Sequence, residues 1–426
     1  MVLFYDRDYV IIESGTSHII YFGNINRAVK LNYLNLYYFK CILERLPGSE
    51  YGDDFIDDNK LDKARFVKFV SFFCDKKVLF RSSEELEENN FLSSYQKIVN
   101  ERTFTKAYLH VTQKCNLRCE YCYNKHNLNR DERELSAQEW IKVIHELENI
   151  GMRYYNITGG EPLLNEDLQK IISCINGKKI LLTNGTLLVE KKYKTLEMVD
   201  QIIVSLDSLD VRQNDLNRGN SLKYQVLKNI EALPAELKHK MQVRSVLTGN
   251  NISGIHEMTE FLETEMGIPH IINECLPNSK DELKDFIPYV NNAGQEYRLQ
   301  DLILCGAGVD TLAIDSNGDI YPCQSLLKEE FKIGCILTKG WETQVRQAIS
   351  KHRISRGILD IPRCRECVYK YICGGGCKAI TYNIYADADR INSFMCEHYK
   401  NQSVEKIRRL FVGRGHETEG YETGLC

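Results

Sequence analysis

Cys115, Cys119 and Cys122 lie on one short run, Cys115-Asn116-Leu117-Arg118-Cys119-Glu120-Tyr121-Cys122, with the spacing C-x3-C-x2-C. Three thiolates on one tight loop suit three corners of a [4Fe–4S] cube and leave the fourth iron for an outside ligand. A cluster with an open iron can bind and reduce a small molecule as well as pass electrons on. Zinc would call for four protein ligands, or for three that include His or carboxylate at other spacings. A second cysteine string runs downstream as Cys305-x12-Gly318-x4-Cys323, then Cys364-x2-Cys367-x5-Cys373-x3-Cys377, then Cys396.

These ten belong to sixteen cysteines in 426 residues. A disulfide scaffold suits short secreted chains, and this chain is neither short nor headed by a signal sequence. Clustered cysteines in a reducing compartment point instead to metal, and a cytoplasmic protein is expected. The net charge is −4 and the pI about 6.3, so no basic excess marks a nucleic-acid partner. No uncharged apolar run reaches the roughly 18 residues of a membrane span. The length predicts two or three domains.

The elements that must position the cysteines fall into three regions. Residues 1–80 open with strand-like runs at Tyr9–Ile12 and Ile19–Phe22, followed by apolar-periodic helices around Leu34–Leu46 and Lys60–Asp75. Residues 81–105, with Glu84, Glu85, Glu87 and Glu88, read as a solvated linker or exposed helix. From 106 to 276 strand and helix alternate. Strands are expected at Ala107–Thr112, Tyr154–Thr158, Lys179–Thr183, Gln201–Leu206, Gln242–Thr248 and His270–Glu274. Ser136 and Glu139 form a capping box, with Gly151 placed to end that helix, and Leu222–Leu233 and Ile255–Glu265 are further helices. Six β–α repeats predict an α/β fold, a partial (β/α)6 barrel similar to three-quarters of a TIM barrel. In such barrels chemistry sits on loops after the strands. The cysteine triplet, Gly159–Pro162, Asn184–Gly185 and Asp207 all fall on that rim.

Residues 277–304 read as a bridging segment. From 305 to 400 the pattern changes to cysteines and Gly-punctuated hairpins, with Ile314–Asp315 and Ile320–Cys323 flanking a turn at Ser316–Asp319. Residues from Ile384 and Val404–Phe411 read as helical, and 401–426 as a C-terminal helix and tail, mobile from Gly413 onward.

The triplet, with Tyr121 before its last cysteine, resembles the radical S-adenosylmethionine (SAM) superfamily, and Gly159-Gly160-Glu161-Pro162 resembles its GGEP motif. The resemblance implies that the open iron binds the amine and carboxylate of SAM. One electron then yields methionine and a 5′-deoxyadenosyl radical that takes hydrogen from a substrate. It further implies that the Tyr121 backbone faces the adenine and that Gly160 and Glu161 hold the SAM amine. Ser205 and Arg218 match positions that touch ribose and carboxylate, where an Arg fork fits. Asp207 and Leu276 are further SAM-site candidates, and a plain salt bridge serves equally for Arg218 and Asp207. No catalytic residue is assigned beyond that cluster, since His110, His126 and His145 offer no acid–base pair.

The downstream string resembles the SPASM extension of radical SAM peptide-modifying enzymes. That implies one auxiliary [4Fe–4S] cluster on Cys364, Cys367, Cys373 and Cys396, and part of another on Cys305, Cys323 and Cys377. Two cubes want eight ligands and the string supplies seven. Of the remaining cysteines (Cys41, Cys74, Cys174, Cys275, Cys335 and Cys426), Cys275 and Cys335 are candidates for the eighth. Both types of position more often hold core residues, and an open iron at the Cys305 cluster is preferred. Sulfatase-maturing members carry Asp after the Gly-x4-Cys cysteine; here Gln324 stands there and cannot take a proton, which argues against that role.

Residues 1–80 resemble, in pattern and length, the small winged-helix PqqD-like domain that recognises leader peptides. The physical basis would be strand addition at a sheet edge, and a domain that merely caps the barrel is the alternative. Together these resemblances imply a peptide maturase that acts on a ribosomally made precursor peptide. An external one-electron donor such as flavodoxin or ferredoxin would supply it. The first expectation for the product is a thioether from a peptide Cys sulfur to carbon, and the second a carbon–carbon or carbon–oxygen crosslink. Oxidation of a protein side chain, and an iron–sulfur scaffold that no longer cleaves SAM, are the competing readings. The peptide's identity, the regiochemistry and the oligomeric state are not written in the sequence.

Overall fold

The computed structural model describes residues 1–101, 103–218, 222–277, 279–288, 305–351, 358–388, 390–411 and 421–424. The first eighty residues fold around aromatic side chains. Strands β1 (Val2–Leu3), β2 (Tyr9–Ser14), β3 (Ser17–Phe22) and β4 (Arg27–Leu31) come first, and β2, β3 and β4 pair antiparallel in that order. Helix α1 (Tyr33–Leu43) starts at Asn32, whose side chain accepts from the Asn35 N–H and so satisfies a free helix-end donor. After β5 (Ser49–Glu50), which pairs with β1, come α2 (Asp53–Asp58) and α3 (Lys63–Asp75), the latter capped by Asp62.

Ile20, Phe22, Val29 and Leu31 face these helices and meet Phe39, Phe66, Phe69 and Phe73. Alternate residues Ile19, Tyr21 and Ala28 face the other way, onto Ile372, Ile407, Leu410 and Phe411 near the C-terminus. Both faces of the small sheet are therefore buried. Lys370 closes the seam, its Nζ 2.6 Å from Asp8 Oδ2.

The acidic stretch is helical, as α4 (Ser83–Glu88) and α5 (Leu92–Glu101). It is more than a solvated linker. Tyr95 is buried against Tyr371, and its hydroxyl accepts from the Ile358 N–H at 2.9 Å.

Strand and helix then alternate through β6 (Lys106–His110), α6 (Ala137–Asn149), β7 (Tyr154–Thr158), α7 (Leu168–Ser173), β8 (Lys178–Thr183), α8 (Tyr193–Glu197) and β9 (Gln201–Ser205). The chain continues through α9 (Val211–Arg218), α10 (Leu222–Ala232), α11 (Ala235–Lys238), β10 (Met241–Leu247), α12 (Ile255–Glu260) and β11 (His270–Glu274). The six strands are parallel and adjacent in chain order. The Ser136–Glu139 capping box is present, and Gly151 takes a φ of 90° just after that helix. Ala107, Leu109, Tyr155, Ile157, Leu181, Ile202 and Val204 point toward the helices and share one core with the fully buried Trp140. Their alternates line the inner face.

The sheet does not end at residue 276. Strand β12 (Thr311–Ile314) adds parallel beside β6, and β13 (Asp319–Tyr321) and β14 (Gly334–Cys335) follow antiparallel, making nine strands. Leu312, Ile320, Ile336 and Trp341 belong to the same core as the six parallel strands. The bridging segment 277–304 lies largely outside the described residues.

The remaining helices are α13 (Trp341–Lys351), α14 (Pro362–Arg365), α15 (Lys370–Cys373), α16 (Lys378–Tyr385) and α17 (Ser393–Arg409). Ile384 proves to be near the end of α16, which stops where Ala386 adopts a left-handed conformation. The C-terminal helix starts at Ser393 and so includes Cys396. Tyr421–Gly424, expected to be mobile, forms β15 and pairs antiparallel with β4. Among the described residues no helix is long and apolar enough to cross a membrane.

Candidate active site

The cysteine triplet follows β6 on a loop fixed from three sides. Asn129 accepts from the Cys115 N–H at 2.9 Å and donates to its carbonyl at 3.1 Å. Asn116 donates to Thr186 and accepts from Asn184, each at 2.8 Å, which ties the loop to the end of β8. The Gly159–Pro162 turn lies directly beneath. Gly160 N–H donates to the Thr112 carbonyl and Glu161 N–H to the Lys114 carbonyl, both at 2.8 Å. A Cβ on Gly160 would stand 2.2 Å from the Lys114 oxygen and 3.0 Å from Cys115 Cβ, so only glycine lets the two loops touch. Gly159 has a φ of 132°, which other residues rarely adopt.

Glu161 is fully buried. Its carboxylate accepts from Leu163 N–H at 3.0 Å, Thr183 hydroxyl at 2.8 Å and Asn184 N–H at 2.8 Å. Burial pushes its pKa up to about 7 despite these donors. The side chain thus clips β7's loop to β8, leaving it one of about four lone-pair sites for a further donor.

Tyr121 turns its hydroxyl onto Asp207, which also takes Arg218. Asp207 accepts from the Val246 N–H at 2.9 Å, and Asn251 donates to its carbonyl at 2.8 Å. The Arg218 guanidinium lies 5.6 Å from the Tyr121 ring centroid. In this structure the salt-bridge alternative is the one formed: Arg218 is committed to a protein carboxylate. Ser205 ends β9 at the same rim, and Leu276 is exposed after β11.

The cysteines come together in groups. Cys115 senses Cys119, Cys122 senses both, and burial pushes Cys122 up to about 11. Cys364 senses Cys367, Cys373 and Cys396, and is pushed up to about 11, chiefly by burial. Cys323 senses Cys305 and Cys377, and burial drives it to about 12. Partly buried thiols crowded in this way ionise together only beside a cation.

The residues fit iron–sulfur clusters on three counts. The donors are soft thiolates. Backbone N–H groups point at sulfur, Leu117 at Cys115 (3.4 Å) and Ser325 at Cys323 (3.5 Å). The buried Tyr399 hydroxyl, which senses Cys377 and Cys373, has no acceptor for its proton. Among the described residues no three His, Cys, Asp or Glu side chains converge on one metal ion. A cube does not require that, because each thiolate takes its own iron. Between Cys373 and Cys377 the three glycines 374–376 all have positive φ, and Gly376 lies against the Tyr399 ring.

The eighth-ligand candidates lie elsewhere. Cys335 pairs in register with Asp319, at the far end of β13 from Cys323. Cys275 senses Glu282, Asp207 and Glu120 at the rim, and burial pushes it up to about 11. Cys426 lies outside the described residues.

Residues 109–262 match the family described as the Radical SAM superfamily. The chain carries a radical SAM domain. Mycofactocin maturase MftC of Mycolicibacterium smegmatis is 26% identical over 348 residues, which are 74% of this chain and 88% of that protein. Among solved structures, Streptococcus suis SuiB bound to precursor peptide SuiA has a TM-score of 0.52 at 15% identity, covering 92% of this chain and 99% of that one. Native anSMEcpe with bound AdoMet has a TM-score of 0.52 at 17% identity, covering 71% and 96%. At such identities the structures speak for a shared fold.

Within the radical SAM domain, sequence reasoning missed the inner face. Tyr108 and Arg244 sit on strands four places apart, yet each senses the other's charge, so the sheet curves around a lumen. Tyr123 senses Cys122 and Cys323 and reaches Gln324 at 3.5 Å. His110 is buried edge-on to Tyr123 with neither ring nitrogen bonded, and burial lowers its pKa to about 3. It stays neutral, which agrees with its exclusion as an acid–base group. Strand alternation was the signal available for Tyr108, His110 and Arg244.

Proposed function

We propose that the protein is a peptide maturase that joins two residues of a ribosomally made precursor, first of all through a thioether from Cys sulfur to carbon. The supporting observation is spatial. Tyr123 senses both Cys122 of the rim triplet and Cys323 of the Cys305 group, so a peptide beside it would be within reach of both sets of thiols. The similarity to a maturase across most of both chains supports the same class of substrate.

Cys115, Cys119 and Cys122 would hold the SAM-binding [4Fe–4S] cluster, which when bound supplies the electron that splits SAM into methionine and a 5′-deoxyadenosyl radical. Cys364, Cys367, Cys373 and Cys396 would hold one auxiliary cluster, and Cys305, Cys323 and Cys377 most of another. Gly159, Gly160, Glu161 and Pro162 keep the triplet loop seated, and Ser205, Asp207, Arg218 and Leu276 shape the SAM pocket around Tyr121. Residues 1–80 would bind the leader. In this sheet the edge of β4 already accepts an extended strand, β15, which favours β-augmentation as the mode of docking. A flavodoxin- or ferredoxin-like donor would provide the electron.

The test is anaerobic co-expression with a short Cys-containing peptide encoded beside the gene, read by tandem mass spectrometry. Loss of two hydrogens together with one free thiol is expected. Loss of two hydrogens with every thiol still alkylatable would refute the thioether.

A further inference from the structure

Arg244 lies midway along β10. Met241 and Val243 join the helix-side core, and Ser245 bonds His270 at 2.7 Å on that same side. Gln242 and Arg244 therefore face the lumen. Of the five N–H donors of a guanidinium, Nε goes to Gln242 Oε1 at 3.0 Å, and no carboxylate among the described residues pairs with it. Arg218 is the contrast, since the protein supplies its anion, Asp207. Burial works against the charge of Arg244, and the nearby Tyr108 only partly offsets this. A half-desolvated cation without a counter-ion is costly, and an incoming anion removes the cost.

Position selects the anion. Arg244 pairs in register with Ser205, the last residue of β9, and stands three residues before the end of β10 at Leu247, roughly 10 Å back along that strand at about 3.3 Å per residue. It faces Tyr108, which senses Cys323 of the Cys305 group.

We propose that Arg244 receives a side-chain carboxylate, of Asp or Glu, carried into the barrel by the substrate peptide. This rests on the reading of the substrate as a peptide, and it adds that the modified segment is acidic. The planar fork sets a carboxylate's orientation as well as its affinity, so the residue fixes which part of the peptide faces the rim.

The probes are two capped tripeptides, acetyl-Ala-Glu-Ala-amide and acetyl-Ala-Gln-Ala-amide, titrated by saturation-transfer NMR against the anaerobic, SAM-loaded holoenzyme. The wild type should favour the Glu peptide by roughly tenfold, the scale of one charge-assisted fork. Arg244→Gln should abolish the preference and Arg244→Lys should keep part of it. SAM affinity, from equilibrium dialysis with labelled SAM, should move by less than about twofold, since the pair at Arg218 is untouched. Equal binding of both peptides by the wild type overturns the proposal. So does a preference that survives Arg244→Gln, or a SAM affinity that falls in its place, which would assign the carboxylate to SAM. The co-expression result stands apart. A modified peptide without discrimination sinks this inference alone, and discrimination without any modified peptide sinks the maturase reading alone.

Discussion

Arg218 and Asp207 form a buried ion pair, with the guanidinium NH2 donating to Oδ1 at 2.9 Å and Nε standing 2.9 Å from Oδ2. Asp207 is 0% exposed and Arg218 7%, so solvent screens neither. Because the Tyr121 hydroxyl bonds the same carboxylate, the pair joins the triplet loop to β9. Asp207→Asn should leave Arg218 buried without its anion and cost roughly 3–5 kcal/mol. Urea unfolding checks the cost. SAM affinity should fall with it, because a neutral amide, with one acceptor oxygen in place of two, holds Tyr121 and Arg218 less firmly.

The division of the cysteines predicts two different losses. Cys119→Ala should abolish 5′-deoxyadenosine formation from SAM and dithionite. Cys367→Ala should leave that product intact and end peptide modification. Chromatography of the nucleoside, with iron content on the same samples, checks both. Equal loss of nucleoside in two folded, iron-loaded variants would contradict the division.

Gly160→Ala tests the seating of the triplet loop. Its Cβ would stand 2.2 Å from a backbone oxygen, which no side-chain rotation can relieve. The loop must move, so iron bound at the triplet should drop while far-UV circular dichroism stays unchanged. Gly249→Ala, where a Cβ meets nothing within 4 Å, is the control.

The barrel strands were legible because their apolar alternation is local, and the positions of β7 and β11 agree with expectation to the residue. Spacing alone speaks for the triplet, which lies within eight residues; it says less downstream, where Cys377 senses Cys305 although only three residues separate it from Cys373. The Arg218–Asp207 pair was one of two alternatives that the sequence left open, and the fold forms it. Two features were not legible, for one reason: they depend on distant partners. The acidic run 81–100 reads as solvated until Tyr95 meets Tyr371. Arg244 reads as one charge in a strand until curvature brings Tyr108 across from it.

His270 predicts how stability follows pH. Its ring nitrogens meet the Ser245 and Thr259 hydroxyls at 2.7 and 2.8 Å, and burial lowers its pKa to about 4. An unfolded His has a pKa of about 6.5. At pH 7.5 both states hold a neutral ring. Below about 6.5 the unfolded chain takes up a proton that the native one refuses, so stability falls until the native ring titrates near pH 4. Between pH 7.5 and 5.5 this site alone should cost about 1.4 kcal/mol. His110, lowered to about 3, adds a loss of the same sign. His270→Gln can still bond both hydroxyls but does not titrate. Its urea midpoint should shift less than the wild type's over that range, and parallel shifts in the two proteins would show that His270 is not the group responsible.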